Sequence, residues 1–261
     1  MSDRPGGGAH AASGGAHAAS GGAHAASGGA HAASGGAHAA SGGERRLLLA
    51  TRSAHKLREL RELLGPTAPP LVSLDDLGIA DEVEETGATF AANARLKART
   101  YARLARMPTL ADDSGIEVDA LDGGPGVRTR RYAGDQATDA ENNAKLLAAL
   151  EGLPPERRGA RYVCVLALVD PTSAGPRGGM PFIATRGTCR GRIAEVPSGP
   201  NGFGYDPIFE PIAEPPGGRT LGRYSAAEKH AISHRARAAR RMARLMARHL
   251  RPARPATRGG G

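Results

Sequence analysis

The chain has 261 residues, 40% of them hydrophobic, with two cysteines. That is apolar material enough for a packed domain and too little cysteine for a disulfide framework or a zinc site. No apolar run reaches the ~18 residues of a membrane span. The net charge of +9 looks like a nucleic-acid signal until it is located: ten Lys or Arg and no carboxylate follow from Lys229 onward, leaving 25 cationic against 26 acidic residues before it.

Residues 1–43 carry five copies of GAHAASG, with His10, His17, His24, His31 and His38 in register. A seven-residue period suits a coiled coil, but the repeat offers no Leu, Ile or Val for a seam and its paired glycines oppose a helix, so it reads as a disordered tail. Weak transition-metal binding by the histidines is the lesser alternative. The folded domain is then residues 44–250, and 251–261 is a disordered basic tail. With no signal-peptide core and no disulfide pattern, a soluble, reducing, cytoplasmic setting is expected.

Arg46 to Thr51, RLLLAT, reads as a buried strand, and Ser53 caps a helix whose Leu57, Leu60 and Leu64 share one face before Gly65 and Pro66 stop it. A strand, a polar turn and a helix in twenty residues aim free backbone amides beyond the strand end. Thr51, Arg52, Ser53, Ala54, His55 and Lys56 put hydroxyls and positive charge there, which suits a polyphosphate, although the glycines of a P-loop are missing. A second strand at Leu71 to Leu74 precedes the acidic loop DEVEE, Asp81 to Glu85. Thr89 then caps a helix to about Arg106 with an apolar stripe of Phe90, Ala94, Tyr101 and Leu104. Asn93 and Lys97 fall on that inward stripe, and polar groups on a buried face want partners, so a shared polar cavity beside the acidic loop is expected.

A short apolar strand, Thr109 to Ala111, runs into Asp112, Asp113, Ser114 and Gly115. Adjacent carboxylates raise one another's pKa and suit a cation, a metal or a proton-transfer task, though for these four residues taken alone a polar turn at a strand end is the leading reading. Thr138 and Glu141 form a capping box for a helix carrying Leu146, Leu147 and Leu150. Arg161 to Val169 reads as a core strand containing Cys164 as a buried small hydrophobe, and Phe182 to Ile193 as the return arm of a hairpin that carries Cys189. Ser198 to Phe209, SGPNGFGYDPIF, is a loop that spends Phe203 and Tyr205 in a chain only 3% aromatic. A flat ligand accounts for that, as does an aromatic anchor. Ser225 and Glu228 make a second capping box, and Ser233 caps a final helix with Ala239, Met242, Leu245, Met246 and His249 inward and its arginines outward.

Six blocks in order, ATRSAHK (50–56), EETGATFAANARLKA (84–98), ADDSG (111–115), PGV with RYAG (125–134), GFGYDPIF (202–209) and SHR (233–235), resemble the inosine/xanthosine triphosphate pyrophosphatase family. The resemblance implies an α/β fold with a long twisted mixed sheet, helices on both sides, and two lobes around a central cleft. It also implies a homodimer, Mg2+, and hydrolysis of deaminated purine nucleoside triphosphates to the monophosphate and pyrophosphate. It makes Asp113 the proton acceptor and a metal ligand with Glu85, gives the triphosphate to Thr51–Lys56, puts Ser114 against substrate, and forms a base pocket from Phe203, Gly204, Tyr205, Asp206, Lys229, His234 and Arg235. Three positions depart from the family's usual pattern: Ser53 stands for Asn, Ala92 for Glu's carboxylate at the helix start, and Arg130 for a small residue. Two other readings stay open at this point, a same-fold pyrophosphatase of other modified nucleotides and a nucleic-acid-binding protein using the Arg-rich C-terminal segment.

Overall fold

A computed structural model describes residues 45–66, 68–173 and 180–250; the repeat tail and the basic C-terminal tail lie outside them. The elements run β1 (Leu47–Ala50), α1 (Ala54–Leu64), β2 (Leu71–Ser73), α2 (Phe90–Ala105), β3 (Thr109–Val118), α3 (Asp139–Ala149), β4 (Gly159–Val169), β5 (Phe182–Ile193), β6 (Phe209–Pro211), α4 (Ala226–Ile232) and α5 (His234–His249), with short 3-10 turns between. Six strands form one mixed sheet in the order β2-β1-β3-β4-β5-β6. β1 is parallel to both β2 and β3, which requires crossovers, and α1 and α2 are those crossovers. β3, β4, β5 and β6 pair antiparallel, β4 and β5 as a long hairpin from Gly159↔Arg192 to Val169↔Phe182.

The two-residue period of the strands sorts the apolar side chains to two faces. Leu47, Leu49, Leu110, Leu166 and Leu168 pack against α1 and α5 on one face. Leu48, Ala50, Ala111, Val163 and Val165 pack against Phe90, Ala94, Ala98, Tyr101 and Ala102 of α2 on the other. Beyond them the long strands continue into a third apolar cluster of Ile116, Val118, Leu146, Tyr162, Phe209 and Tyr224. β3 and β4 run through all three clusters.

Every expected cap is present: Ser53, Thr89 and Ser233 accept from backbone N–H groups, and Thr138/Glu141 and Ser225/Glu228 are full capping boxes. The strand expected to end at Ala111 instead runs to Val118, because β4 pairs with it residue for residue through Ser114↔Cys164 and Gly115↔Val163. Asp112 and Asp113 therefore lie inside a central strand, not in a turn. Leu104 is not on the inward stripe of α2 but 48% exposed; the small residues Ala94, Ala98 and Ala102 form the stripe that approaches the sheet. In α5, Ala239, Met242 and Met246 are buried as expected, but His249 is exposed and Arg235 is buried instead of outward. Among the described residues no helix is long and apolar enough to cross a membrane.

Candidate active site

Because β3 is a strand, Asp112 and Asp113 face opposite sides of the sheet, Asp112 with Ser114 and Asp113 with Gly115. The two carboxylates that looked like one mutually repelling pair therefore have separate partners. Asp112 is fully buried and bonded on every side: Lys56 pairs with Oδ1, Ser114 Oγ donates to Oδ1 (2.9 Å), and Arg235 Nε (3.2 Å) and Cys164 Sγ (3.1 Å) donate to Oδ2. Burial alone would raise its pKa, but Lys56 and Arg235 hold the carboxyl well below the usual range, so it is a fixed negative charge.

Asp113 differs. Burial raises its pKa, the Glu85 carboxylate raises it further, and Lys97 offsets only part of this. Lys97 Nζ donates to Glu85 Oε1 (2.7 Å) and to Asp113 Oδ1 (3.1 Å), which meets the expectation that an inward ammonium on α2 finds acidic partners. Asp113 Oδ2 is buried and, among the described residues, has no hydrogen-bond partner. A buried carboxylate oxygen left free in a cavity wall is costly to fold and ready to accept a proton or bind a cation. Asn93 Oδ1 accepts from Gly87 N (2.7 Å) and ties the acidic loop to α2; a Cβ on Gly87 would lie 2.5 Å from that oxygen.

A cavity of about 960 Å³ joins these groups to the turn after β1 and to the aromatic loop. Thr51 to Lys56, Glu85, Asp113, Ser114, Phe203 to Asp206, Lys229, His234 and Arg235 all line it, so every site residue expected from sequence meets in one hollow. Their duties differ. Ser53 caps α1, its Oγ accepting from Lys56 N, and Arg52 pairs with Asp75 while donating to the Ile79 and Asp81 carbonyls, so it anchors the acidic loop. The His55 ring stacks on Phe203 with centroids 5.0 Å apart, so the turn after β1 reaches the aromatic loop.

In that loop Tyr205 is the buried anchor, its hydroxyl donating to Thr129 O (2.8 Å). Asp206 accepts from Phe203 N (2.9 Å) and Lys229 Nζ (2.6 Å), and Gly202 at φ +78° makes room, since a Cβ would stand 2.1 Å from Asp206 Oδ2. Phe203 stays half-buried, with Lys229 Nζ 4.6 Å and Arg235 Cζ 5.6 Å from its ring centroid. His234 stacks on Tyr162 at 4.5 Å; burial and the nearby Arg235 and Lys229 push its pKa well down, so the ring is neutral.

Two participants escaped the sequence reading. Glu59 on α1 is buried and accepts from Lys229 Nζ (2.7 Å) and Arg235 Nη1 (2.5 Å). Its position one turn after the Lys56 region on the Leu60 side of an amphipathic helix was the available signal. Cys164 is buried as expected, yet also donates to Asp112, which only the β3–β4 register reveals.

A model of the Ham1 family matches residues 47–245. The chain is 46% identical over 190 residues to a dITP/XTP pyrophosphatase of Geobacillus kaustophilus (73% of this chain, 88% of that one) and 46% identical over 211 residues to one of Nocardia farcinica (80% and 94%). Among solved structures, a HAM1 protein from Coxiella burnetii superimposes with a TM-score of 0.68 at 38% identity, covering 78% of this chain and 99% of that one. A nucleoside-triphosphatase / dITP/XTP pyrophosphatase from Mycobacterium abscessus does so with a TM-score of 0.59 at 40% identity, covering 79% and 100%. With a family model over residues 47–245, relatives 46% identical over most of their length, and Asp113 of β3 sharing one cavity with the aromatic loop, the chain belongs to the Ham1 family.

Proposed function

We propose that the protein hydrolyses deaminated purine nucleoside triphosphates such as ITP, dITP and XTP to the monophosphate and pyrophosphate, with Asp113 as the proton acceptor. The observation that carries this is the unpartnered, buried Oδ2 of Asp113 in the wall of a cavity that also holds an aromatic ring and a helix N-terminus. Burial and the Glu85 carboxylate raise the Asp113 pKa above the ordinary carboxylate value, which makes it a stronger base for an attacking water. Thr51 to Lys56 form the phosphate end, where the first turn of α1 offers free N–H groups.

Glu85 and Asp113 converge on one ammonium and form an oxygen-only donor set, which fits Mg2+, a hard ion that keeps waters and shares phosphate oxygens. When bound, Mg2+ neutralises charge on the phosphate oxygens. Phe203 stacks the base, and selectivity falls to Lys229 and Arg235. Lys229 has two of its three N–H donors bonded and Arg235 three of its five, so donors remain for the oxygen at the purine six-position. An adenine amino group there leaves them unpaired at about 1–3 kcal/mol each. Homodimerisation and a cytoplasmic location belong to the same reading; the exposed Phe182, Val196 and Ile212 supply apolar surface for a dimer, which sedimentation velocity measures.

The test is pyrophosphate release from ITP, ATP, GTP and pyrimidine triphosphates by wild type and Asp113→Asn, across a magnesium titration. Preferential ITP turnover, dependent on magnesium and lost in the variant, is expected. Equal turnover by the variant removes Asp113 from the chemistry.

A further inference from the structure

The charge inventory of the cavity wall singles out two side chains. Five of its lysines and arginines are already neutralised: Arg52 by Asp75 and Glu82, Lys56 by Asp112, Lys97 by Glu85 and Asp113, Lys229 by Glu59 and Asp206, and Arg235 by Glu59 and Asp112. Arg130 and Arg131 also line the cavity, and among the described residues neither guanidinium has a carboxylate within ion-pairing distance or a hydrogen-bond acceptor. Arg130 is moreover the position where the family resemblance expects a small residue.

The backbone beneath these arginines is held from three directions. Thr129 Oγ1 accepts from Ile116 N (2.9 Å) on β3 and donates to Gly126 O (2.6 Å), while Thr129 O accepts from the Tyr205 hydroxyl (2.8 Å). Arg130 O accepts from Asn142 Nδ2 (3.0 Å) and Ala133 N donates to Asn142 Oδ1 (2.8 Å), tying the segment to α3. Thr129 packs so closely over Gly115 that a Cβ there would stand 2.3 Å from Thr129 Oγ1, and Gly115 shares the strand face of Asp113. The two free guanidiniums therefore project from a fixed segment next to the face that carries the proposed base.

We infer that Arg130 and Arg131 are substrate-binding residues that grip the anionic phosphate chain of the nucleotide. The inference rests on the proposed hydrolysis of nucleoside triphosphates. A guanidinium presents a planar fork matched to phosphate oxygens, and a pair without internal partners contributes its full charge to an incoming polyanion. Ion pairs already satisfied inside the protein contribute far less, because their charge is balanced before the substrate arrives.

The experiment compares wild type with Arg130→Gln/Arg131→Gln and with Arg130→Lys/Arg131→Lys. The glutamine pair is expected to raise KM for ITP about tenfold or more with kcat within about threefold, consistent with loss of charge-assisted hydrogen bonds. The lysine pair recovers part of the loss, and inhibition by the phosphate-free nucleoside inosine is unchanged in both. Binding of pyrophosphate measured by calorimetry weakens in parallel with KM. A KM within twofold of wild type, or an equal weakening toward inosine, overturns the inference. Absence of ITP hydrolysis by wild type defeats the proposed function instead; weaker pyrophosphate binding by the glutamine pair then still supports the arginine assignment, and unchanged binding overturns it.

Discussion

Replacing Glu59 by Gln tests whether the buried charge network holds the base side of the cavity. Glu59 accepts from Lys229 at 2.7 Å and from Arg235 at 2.5 Å, and glutamine keeps its shape while removing its charge. Stripping one partner from a buried ion pair costs about 3–5 kcal/mol. Here each cation keeps a second carboxylate, Asp206 for Lys229 and Asp112 for Arg235, so a loss of about 2–3 kcal/mol is expected. For a domain of this size that is a fall in Tm of roughly 4–12 °C. Lys229 and Arg235 also lie over Phe203, so KM for ITP should rise about tenfold with little change in kcat. Burial would raise the pKa of Glu59, but Arg235 and Lys229 together lower it. A depressed folded-state value means that the stabilisation is present above the unfolded value of 4.5 and is lost as pH falls through the folded one. Circular dichroism melts should therefore show a constant gap between wild type and variant from about pH 6 to 8, closing only in acid. A Tm within a degree of wild type at pH 7, or a gap that opens in acid, would refute the reasoning.

Three further outcomes are expected. Asp113→Asn should lose about 10²- to 10⁴-fold in turnover yet melt higher than wild type at pH 7, because a carboxyl whose folded pKa is raised favours folding only while protonated and loses that contribution as pH rises through the folded value; differential scanning calorimetry at pH 7 and pH 4 should show the gap narrowing in acid. Phe203→Ala should raise KM for ITP by about 5- to 150-fold, the equivalent of ~1–3 kcal/mol of base stacking, and steady-state kinetics on ITP against pyrophosphate inhibition separates this from a loss at the phosphate end. Gly187→Ala forces a Cβ to within 2.0 Å of His234 O and 2.5 Å of Ala238 N, where β5 meets the start of α5. Overpacking of that kind costs about 1–3 kcal/mol or more, measurable as a drop in the urea midpoint.

Local chemistry was the most legible part of the sequence. Caps act over three residues, so Ser53, Thr89, Thr138, Ser225 and Ser233 could be read directly. Buried strands as apolar runs could be read too, as could a polar pair such as Asn93 and Lys97 facing inward on α2. What could not be read was anything set by pairing across the sheet. Whether Asp112 and Asp113 sit in a turn or a strand depends on β4, some fifty residues later, whose continuous apolar run pairs with β3 through Val118↔Ala160. Glu59 is another case: on α1 it looks like one charge among several, and only the arrival of α4 and α5 beside α1 gives it Lys229 and Arg235. The inward stripe of α2 departs from the helical spacing at Leu104, which is exposed, because Ala94, Ala98 and Ala102 make the close approach to the sheet.

The strand geometry of β3 explains how neighbouring carboxylates can do different work. Period two sends Asp112 and Asp113 to opposite faces, and each face supplies its own charges. Asp112 receives Lys56 from the phosphate turn and Arg235 from the base side, so one permanently ionised group fixes the recognition elements at both ends of the cavity. Asp113 receives a single ammonium that it shares with Glu85, keeps one oxygen unbonded, and has its pKa raised. Environments that drive two carboxyls apart in acidity divide their roles: the depressed one stays ionised, while the raised one is the stronger base. Assigning the base to Asp113 and the structural charge to Asp112 thus follows from which face each occupies. A turn, with both side chains free to reach the same solvent, would have offered no such division.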